Sequence, residues 1–351
     1  MKPRVTQREV ARATGLHPTT VSLALRGSDK LLPETVRLVR ETAERLGYRP
    51  DPVLDALNAY RVANRSHRDV QALAWIDAWR HLEPQIFTSG TFAHLYARAC
   101  EQAERKGFRI ESFHLGPGGY SAARLAAVLY QRGIQGIIVG PMPGGRAHLR
   151  FDWDNFSAIS ISSSLARPEL HRVSHDHHLN MRLLLRGLRR AGRERPGLVL
   201  MRHEDLRTDN QRHAAFLALE QHPRERPPAN PVPLLFAESL EEAGLVDWYR
   251  QHKPDAIIVT RSNFAARLLR QAGVDVPGEV LVASPSAQEN PGSPGVLENQ
   301  RLLIDTALDH LTGMIHRGEK GLPAEPIRLL VPGAWTDGSP APEAPEAGPR
   351  K

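Results

Sequence analysis

The chain is short of cysteine: Cys100 is the only one in 351 residues. An intrachain disulfide is therefore excluded, and a lone thiol fits a reducing, cytoplasmic setting. Long hydrophobic runs are also missing. No apolar stretch approaches the ~20 residues of a membrane span. No apolar leader core follows Met1-Lys2-Pro3-Arg4, so no secretion signal is expected. The signatures of common enzyme classes are absent too. Gly116-Pro117-Gly118-Gly119 and Pro143-Gly144-Gly145 are loops after strands, and neither continues as a phosphate loop or a dinucleotide fingerprint. No Gly-x-Ser-x-Gly nucleophile elbow occurs. His175-Asp176-His177-His178 gathers metal-ligating residue types, but adjacent residues on a strand or loop point different ways. With no partner cluster at ligand spacing, neither a metal nor another cofactor is expected.

What is present is ordinary globular composition, 41% hydrophobic and 24% charged, with length for two or three domains. The charge is uneven. Residues 1–68 hold thirteen basic and seven acidic side chains, which accounts for six of the seven net positive charges. Such a local excess is the footprint of a polyanion-binding module. A merely solvated basic face is the competing reading.

Residues 5–47 read as three short helices. Thr6 and Glu9 form a capping box at the first, and Gly15 permits the left-handed turn that ends it. Pro18 suits the first position of a second helix, with Val21, Ala24 and Leu25 on one face. Pro33 opens a third, with Val36, Val39, Ala43 and Leu46 on one side. Asp51-Pro52 begins a candidate helix of about two turns to Tyr60, too short to stand alone in water. Beyond Val70, apolar runs alternate with helical stretches. Strands are expected at Ala72–Ile76, Ile110–Leu115, Ile134–Val139, Ala158–Ile161, Gly197–Met201, Val232–Phe236, Ala256–Thr260 and Val280–Ala283. That order predicts an α/β fold with parallel sheets covered by helices, in two lobes rather than one very wide sheet. The expected organisation is a headpiece at 1–49, a hinge helix and linker at 50–69, a two-lobed domain at 70–338, and a disordered tail at 339–351.

The run Val5-Thr6-Gln7-Arg8-Glu9-Val10-Ala11, then Gly15-Leu16-His17-Pro18-Thr19-Thr20-Val21-Ser22, then Pro33-Glu34-Thr35 and Leu46-Gly47-Tyr48-Arg49-Pro50, resembles the headpiece of the lactose-repressor/galactose-repressor family. Order, spacing and length agree through Arg61. Ser174-His175-Asp176 and Gln211-Arg212-His213-Ala214-Ala215-Phe216 extend a weaker resemblance to that family's effector domain, which has a periplasmic-binding-protein fold. The resemblance implies a homodimeric transcription regulator, in most cases a repressor, that binds double-stranded operator DNA through the helix-turn-helix. It implies no enzymatic activity. The second helix would lie in the major groove, with Pro18, Thr19 and Leu23 meeting base edges. Many relatives have arginine where Leu23 stands. Leucine offers only apolar contact, such as to a thymine methyl, so an unusual half-site is expected. Thr6, Thr20, Ser22 and Tyr48 would bond phosphates. Leu57 matches the leucine that wedges into the minor groove. Read from the residues alone, Leu54 and Leu57 pack on the headpiece instead.

In relatives a small effector sits between the lobes. Arg212 matches the arginine that binds sugar hydroxyls or carboxylates. Trp79, Ser162 and Phe236 are further pocket candidates by position. Two positions depart from the family pattern: Arg261-Ser262 replaces an Asn-Asp pair, and Ser284-Pro285-Ser286 stands where relatives place an aspartate. Arg261 beside Arg212 would favour an anionic sugar derivative over a simple sugar. Two alternatives stay open: a ligand-independent DNA-binding protein, and a sugar-processing enzyme fused to a DNA-binding head.

Overall fold

The computed structural model describes residues 5–25, 31–48, 70–78, 91–143, 145–220, 230–241 and 243–338. In the N-terminal unit, helices α1 (Gln7–Thr14), α2 (Pro18–Leu25) and α3 (Pro33–Leu46) enclose Val10, Ala11, Val21, Ala24, Val39 and Ala43. The capping box forms: the Glu9 carboxylate accepts from the Thr6 backbone N–H at 2.6 Å and from its hydroxyl at 2.9 Å. These bonds hold the Glu9 carboxyl below its ordinary range. Gly15 adopts φ 70° and returns its N–H to Ala11, which turns the chain sharply into α2. The expected face of α3 is corrected at one end. Leu46 is 37% exposed, whereas Thr42 is buried beside Ala43.

The larger unit begins with β1 (Gln71–Asp77), α4 (Thr91–Arg105), β2 (Phe108–His114), α5 (Ala122–Gln131), β3 (Gly136–Val139), β4 (Ala147–His148), β5 (Ser157–Ile161), β6 (Leu165–Arg167) and β7 (His171–His175). A second set follows: α6 (His177–Arg190), β8 (Pro196–Met201), α7 (Arg202–Arg207), α8 (Gln211–Glu220), β9 (Leu235–Ala237), α9 (Leu245–His252), β10 (Ala256–Ile258), α10 (Ser262–Gln271), β11 (Leu281–Ala283) and β12 (Gly295–Leu297). The chain ends with α11 (Gln300–Arg317), β13 (Arg328–Val331) and β14 (Ala334–Thr336).

Two parallel sheets result, one per lobe. The first has the order β13-β7-β5-β3-β1-β2 and the second β11-β10-β8-β9. Both faces of each sheet are covered, so central strands such as β3, β8 and β10 are apolar nearly throughout. Alternation divides their side chains between two cores. Ala74, Ile76, Ile137 and Val139 pack on one face of the first sheet, and Leu73, Trp75 and Ile138 on the other. In the second, Val199, Met201 and Ile257 oppose Leu198, Leu200 and Ile258.

The chain crosses between lobes three times: from β7 into α6, from β12 into α11, and from β13 into β14. The first and third crossings are bonded together. The Asp176 N–H donates to Val331 O at 2.9 Å, and the Gly333 N–H to the Asn180 side chain at 2.8 Å. The short strand expected at Val232–Phe236 forms only from Leu235, since Pro231 and Pro233 lack ladder donors. The next helix starts at Leu245, after Gly244 in the left-handed conformation. Among the described residues no helix is long and apolar enough to cross a membrane.

Candidate effector cleft and DNA-binding headpiece

In open parallel sheets, ligands settle beyond the strand C-termini, where strand order reverses. Here those points lie between β1 and β3 in one lobe and between β8 and β10 in the other. The lobes meet at this edge. A Cβ on Gly145, in the loop after β3, would lie 2.6 Å from Leu206 Cβ on α7. Arg146 faces Asp209 at 3.6 Å. Gly145 adopts φ 88°, which L side chains resist. We expect Gly145→Val to wedge the lobes apart, seen as a longer distance between spin labels on the two lobes. An unchanged distance would show that this contact does not limit closure.

Three of the four described non-glycine residues with positive φ flank the cleft: Ser162, Asp209 and Asn210. Such strain costs about 1–3 kcal/mol per residue and collects at ligand sites. Ser162 follows β5, and its hydroxyl lies 2.8 Å from that of Ser164, which accepts the Met142 N–H at 2.7 Å. Asp209 and Asn210 precede α8, the helix that carries Arg212.

Arg212 is buried, 7% exposed. Its Nη2 donates to the Ser286 hydroxyl at 2.8 Å and to Glu298 Oε1 at 3.2 Å, and its Nη1 reaches the Thr260 hydroxyl at 3.4 Å. Glu298 Oε2 accepts from Gln288 at 2.9 Å and from Ser286 at 3.2 Å. His175 Nε2 and His177 Nδ1 stand 3.9 and 3.8 Å from the same carboxylate. Burial and the Arg212 charge push the His177 ring down to about 3, so it is neutral near neutral pH. Burial acts to raise the Glu298 carboxyl. The surrounding His175, Arg212, His177 and Gln288 outweigh it and hold the group at about 2. His177 is uncharged, so His175 and Arg212 are the leading groups that oppose burial of this anion, and of the two Arg212 is the one hydrogen-bonded to it.

The other candidates are spread around this centre. Phe236 is half-buried, with the His213 ring edge-on at 5.0 Å and the Arg202 guanidinium 5.9 Å from its centroid. His213 also faces the buried Asp205 carboxylate at 3.6 Å. Burial raises the Asp205 carboxyl against the pull of His213. Arg261 does not join Arg212. Its Nη1 donates to Glu241 at 2.7 Å, its guanidinium lies over Phe264 at 4.4 Å, and its side chain is half exposed. This corrects the paired-arginine expectation: at the end of β10 the inward position falls to Ser262, bonded to Ser293 at 2.7 Å. Trp79 lies outside the described residues. The last residue of β1 before it, Asp77, is buried and meets His114 Nδ1 at 2.9 Å.

The sequence missed Glu298, Gln288 and Thr260. Glu298 stands in a polar connection with no periodic signal, and only the crossing from β12 to α11 carries it to Arg212. His175 and His177 were noticed, but as a metal motif. Among the described residues no group of three or more His, Cys, Asp or Glu side chains is placed to hold a metal ion.

In the headpiece, Pro18, Thr19, Ser22 and Leu23 lie on the α2 backbone, and only that backbone is described. Thr20 is half-buried. The Thr6 hydroxyl is engaged with Glu9. Tyr48 packs on the small core just past α3. Leu57 and the hinge segment 50–69 lie outside the described residues, as does the segment 339–351.

The fold is that of the two-lobed, helix-turn-helix-headed regulators of the lactose-repressor type. Among solved structures, the transcriptional regulator CelR in complex with cellobiose is 18% identical, with a TM-score of 0.56, covering 95% of this chain and 98% of that one. The lac repressor dimer bound to operator and the anti-inducer ONPF is 16% identical, with a TM-score of 0.54 and the same coverage. The Escherichia coli transcriptional repressor AscG is 19% identical, with a TM-score of 0.54, covering 77% of this chain and all of that one. No family model matches the chain, and no curated protein sequence matches it.

Proposed function

We propose that this chain is a sequence-specific DNA-binding transcription regulator, not an enzyme, controlled by a small effector held between its lobes. The observation that carries the reading is the union, in one chain, of a basic three-helix headpiece with a cleft built around a buried arginine. Six of the seven net positive charges fall in residues 1–68, beside a helix-turn-helix that offers α2 to a major groove. The three crossings give the second unit a hinge. A hinge lets a ligand that prefers one lobe arrangement shift the population of the other. The solved proteins of this fold support the pairing: one is described with cellobiose and another as a dimer on operator with an anti-inducer.

The proposed working form is a cytoplasmic homodimer on a near-palindromic operator, acting as a repressor where the site overlaps a promoter. Thr6, Thr20, Ser22 and Tyr48 fix the register on phosphates, Pro18, Thr19 and Leu23 face the bases, and Leu57 wedges the centre. Selection of duplexes from random DNA by the full chain, with and without a metabolite panel, tests this. A symmetric consensus whose occupancy a metabolite changes is expected; no duplex preference at moderate salt would overturn it. Leu57→Ala should then lower affinity for the selected duplex on the order of tenfold, with non-specific binding nearly unchanged, because only the specific complex needs a bent centre. Titration on selected and scrambled duplexes checks this, and an equal fall on both removes the wedge role.

A further inference from the structure

Taking the cleft between the lobes as the effector site, as proposed above, we infer that Glu298 sets its charge preference: the site selects an uncharged, hydroxyl-bearing ligand over the corresponding acid. The resemblance leads to an acidic residue after β11, where this chain has Ser284-Pro285-Ser286. The structure supplies a carboxylate from a different place. Glu298 enters from the crossing after β12 and takes the Arg212 guanidinium at 3.2 Å, with Ser286 bonded to both. Arg212 is thereby compensated before any ligand arrives.

The same balance holds around the cleft. Arg202 pairs with Glu238 at 3.0 Å, Arg261 with Glu241 at 2.7 Å, and Arg146 with Asp209 at 3.6 Å. His177 beside Glu298 is neutral, so it adds no positive charge. A ligand carboxylate would have to sit against Glu298 or strip it from Arg212. Both are unfavourable where water is excluded and like charges are poorly screened. Hydroxyl groups face no such conflict. They accept from a guanidinium and donate to a carboxylate at once. Two buried nitrogens of this cluster, Arg212 Nε and His175 Nδ1, have no hydrogen-bond partner among the described residues. Buried polar atoms are rarely left so, and ligand hydroxyls would satisfy them.

Calorimetric titration of the full chain, without DNA, tests this with glucose, cellobiose, glucuronate and cellobionate as probes. The wild type is expected to bind a neutral probe at least tenfold more tightly than its acid. Glu298→Gln should shift that ratio by about tenfold or more toward the acid, since Arg212 is then uncompensated. The double variant Arg212→Gln with Glu298→Gln removes both charges and avoids a lone buried one; it should gain no preference for the acid. A wild type that prefers an acid, a wild type that binds none of the four, an unchanged ratio in Glu298→Gln, or a double variant that prefers the acid overturns the inference. Should Glu298→Gln fail to fold, the wild-type and double-variant ratios still decide. Duplex selection is read separately. A sound operator with a failed sugar ratio removes only this inference, and a sound ratio without any duplex preference removes only the regulator reading.

Discussion

Replacing Leu23 by arginine is expected to rewrite the operator. Val21 and Ala24 seal one face of α2 in the headpiece core, and the proposed docking gives position 23 to the bases. Leucine at a base edge gives apolar contact alone, with no donor for guanine. Arginine would offer two parallel donors to guanine O6 and N7, a pairing worth about 1–3 kcal/mol of discrimination at each half-site. Two half-sites in a symmetric dimer double that figure, so the preferred duplex should change outright. Duplex selection with both proteins checks this. The expected result is one new guanine in each half, at the same distance from the centre. An unchanged consensus would place position 23 away from the bases and would falsify the assigned docking of α2.

Removing the cation of the cleft should have an effect of similar size on stability. Arg212→Met leaves the Glu298 carboxylate buried without its counter-charge, a change that costs about 3–5 kcal/mol when one partner of a buried pair is lost. The pH dependence gives this its signature. In the wild type Glu298 is held at about 2, below the ordinary 4.5. Its stabilising contribution is therefore complete above pH 4.5 and fades as pH falls toward 2. In Arg212→Met, one of the two leading charges that oppose burial, after His175, is gone, and the carboxyl moves up from its wild-type position. Protonation then relieves the buried charge, so the variant's deficit should shrink as pH is lowered from 7.5 to 5.5. Adding Glu298→Leu should recover most of the loss at neutral pH. Urea unfolding at the two pH values measures both effects. A deficit independent of pH, with no recovery in the double variant, would mean that Arg212 acts through packing alone.

Much of the architecture could be read from local patterns. The helix Gln300–Arg317 follows from its apolar periodicity, with Leu303, Ile304, Ala307, Leu308 and Leu311 buried. Strands such as Ala72–Ile76 announced themselves as apolar runs because both faces are covered. The strand β7, His171–His175, could not be seen this way. Two histidines and an arginine break its pattern, and its place between β5 and β13 comes from a segment more than 150 residues later in the chain. The cleft divides similarly. Arg212 was legible through its neighbours Gln211 to Phe216, whereas Glu298 lies 86 residues away with no motif around it.

The order of helices and strands, the basic first segment and the caps at Thr6 and Gly15 were written in the sequence. Each depends on residues within a few positions of one another, where backbone sterics and side-chain periodicity act directly. Which arginine turns inward, which carboxylate answers it and how the lobes touch at Gly145 were decided only by the tertiary structure. Those choices belong to groups distant in sequence, and only packing in a medium that excludes water makes their pairing strong enough to matter.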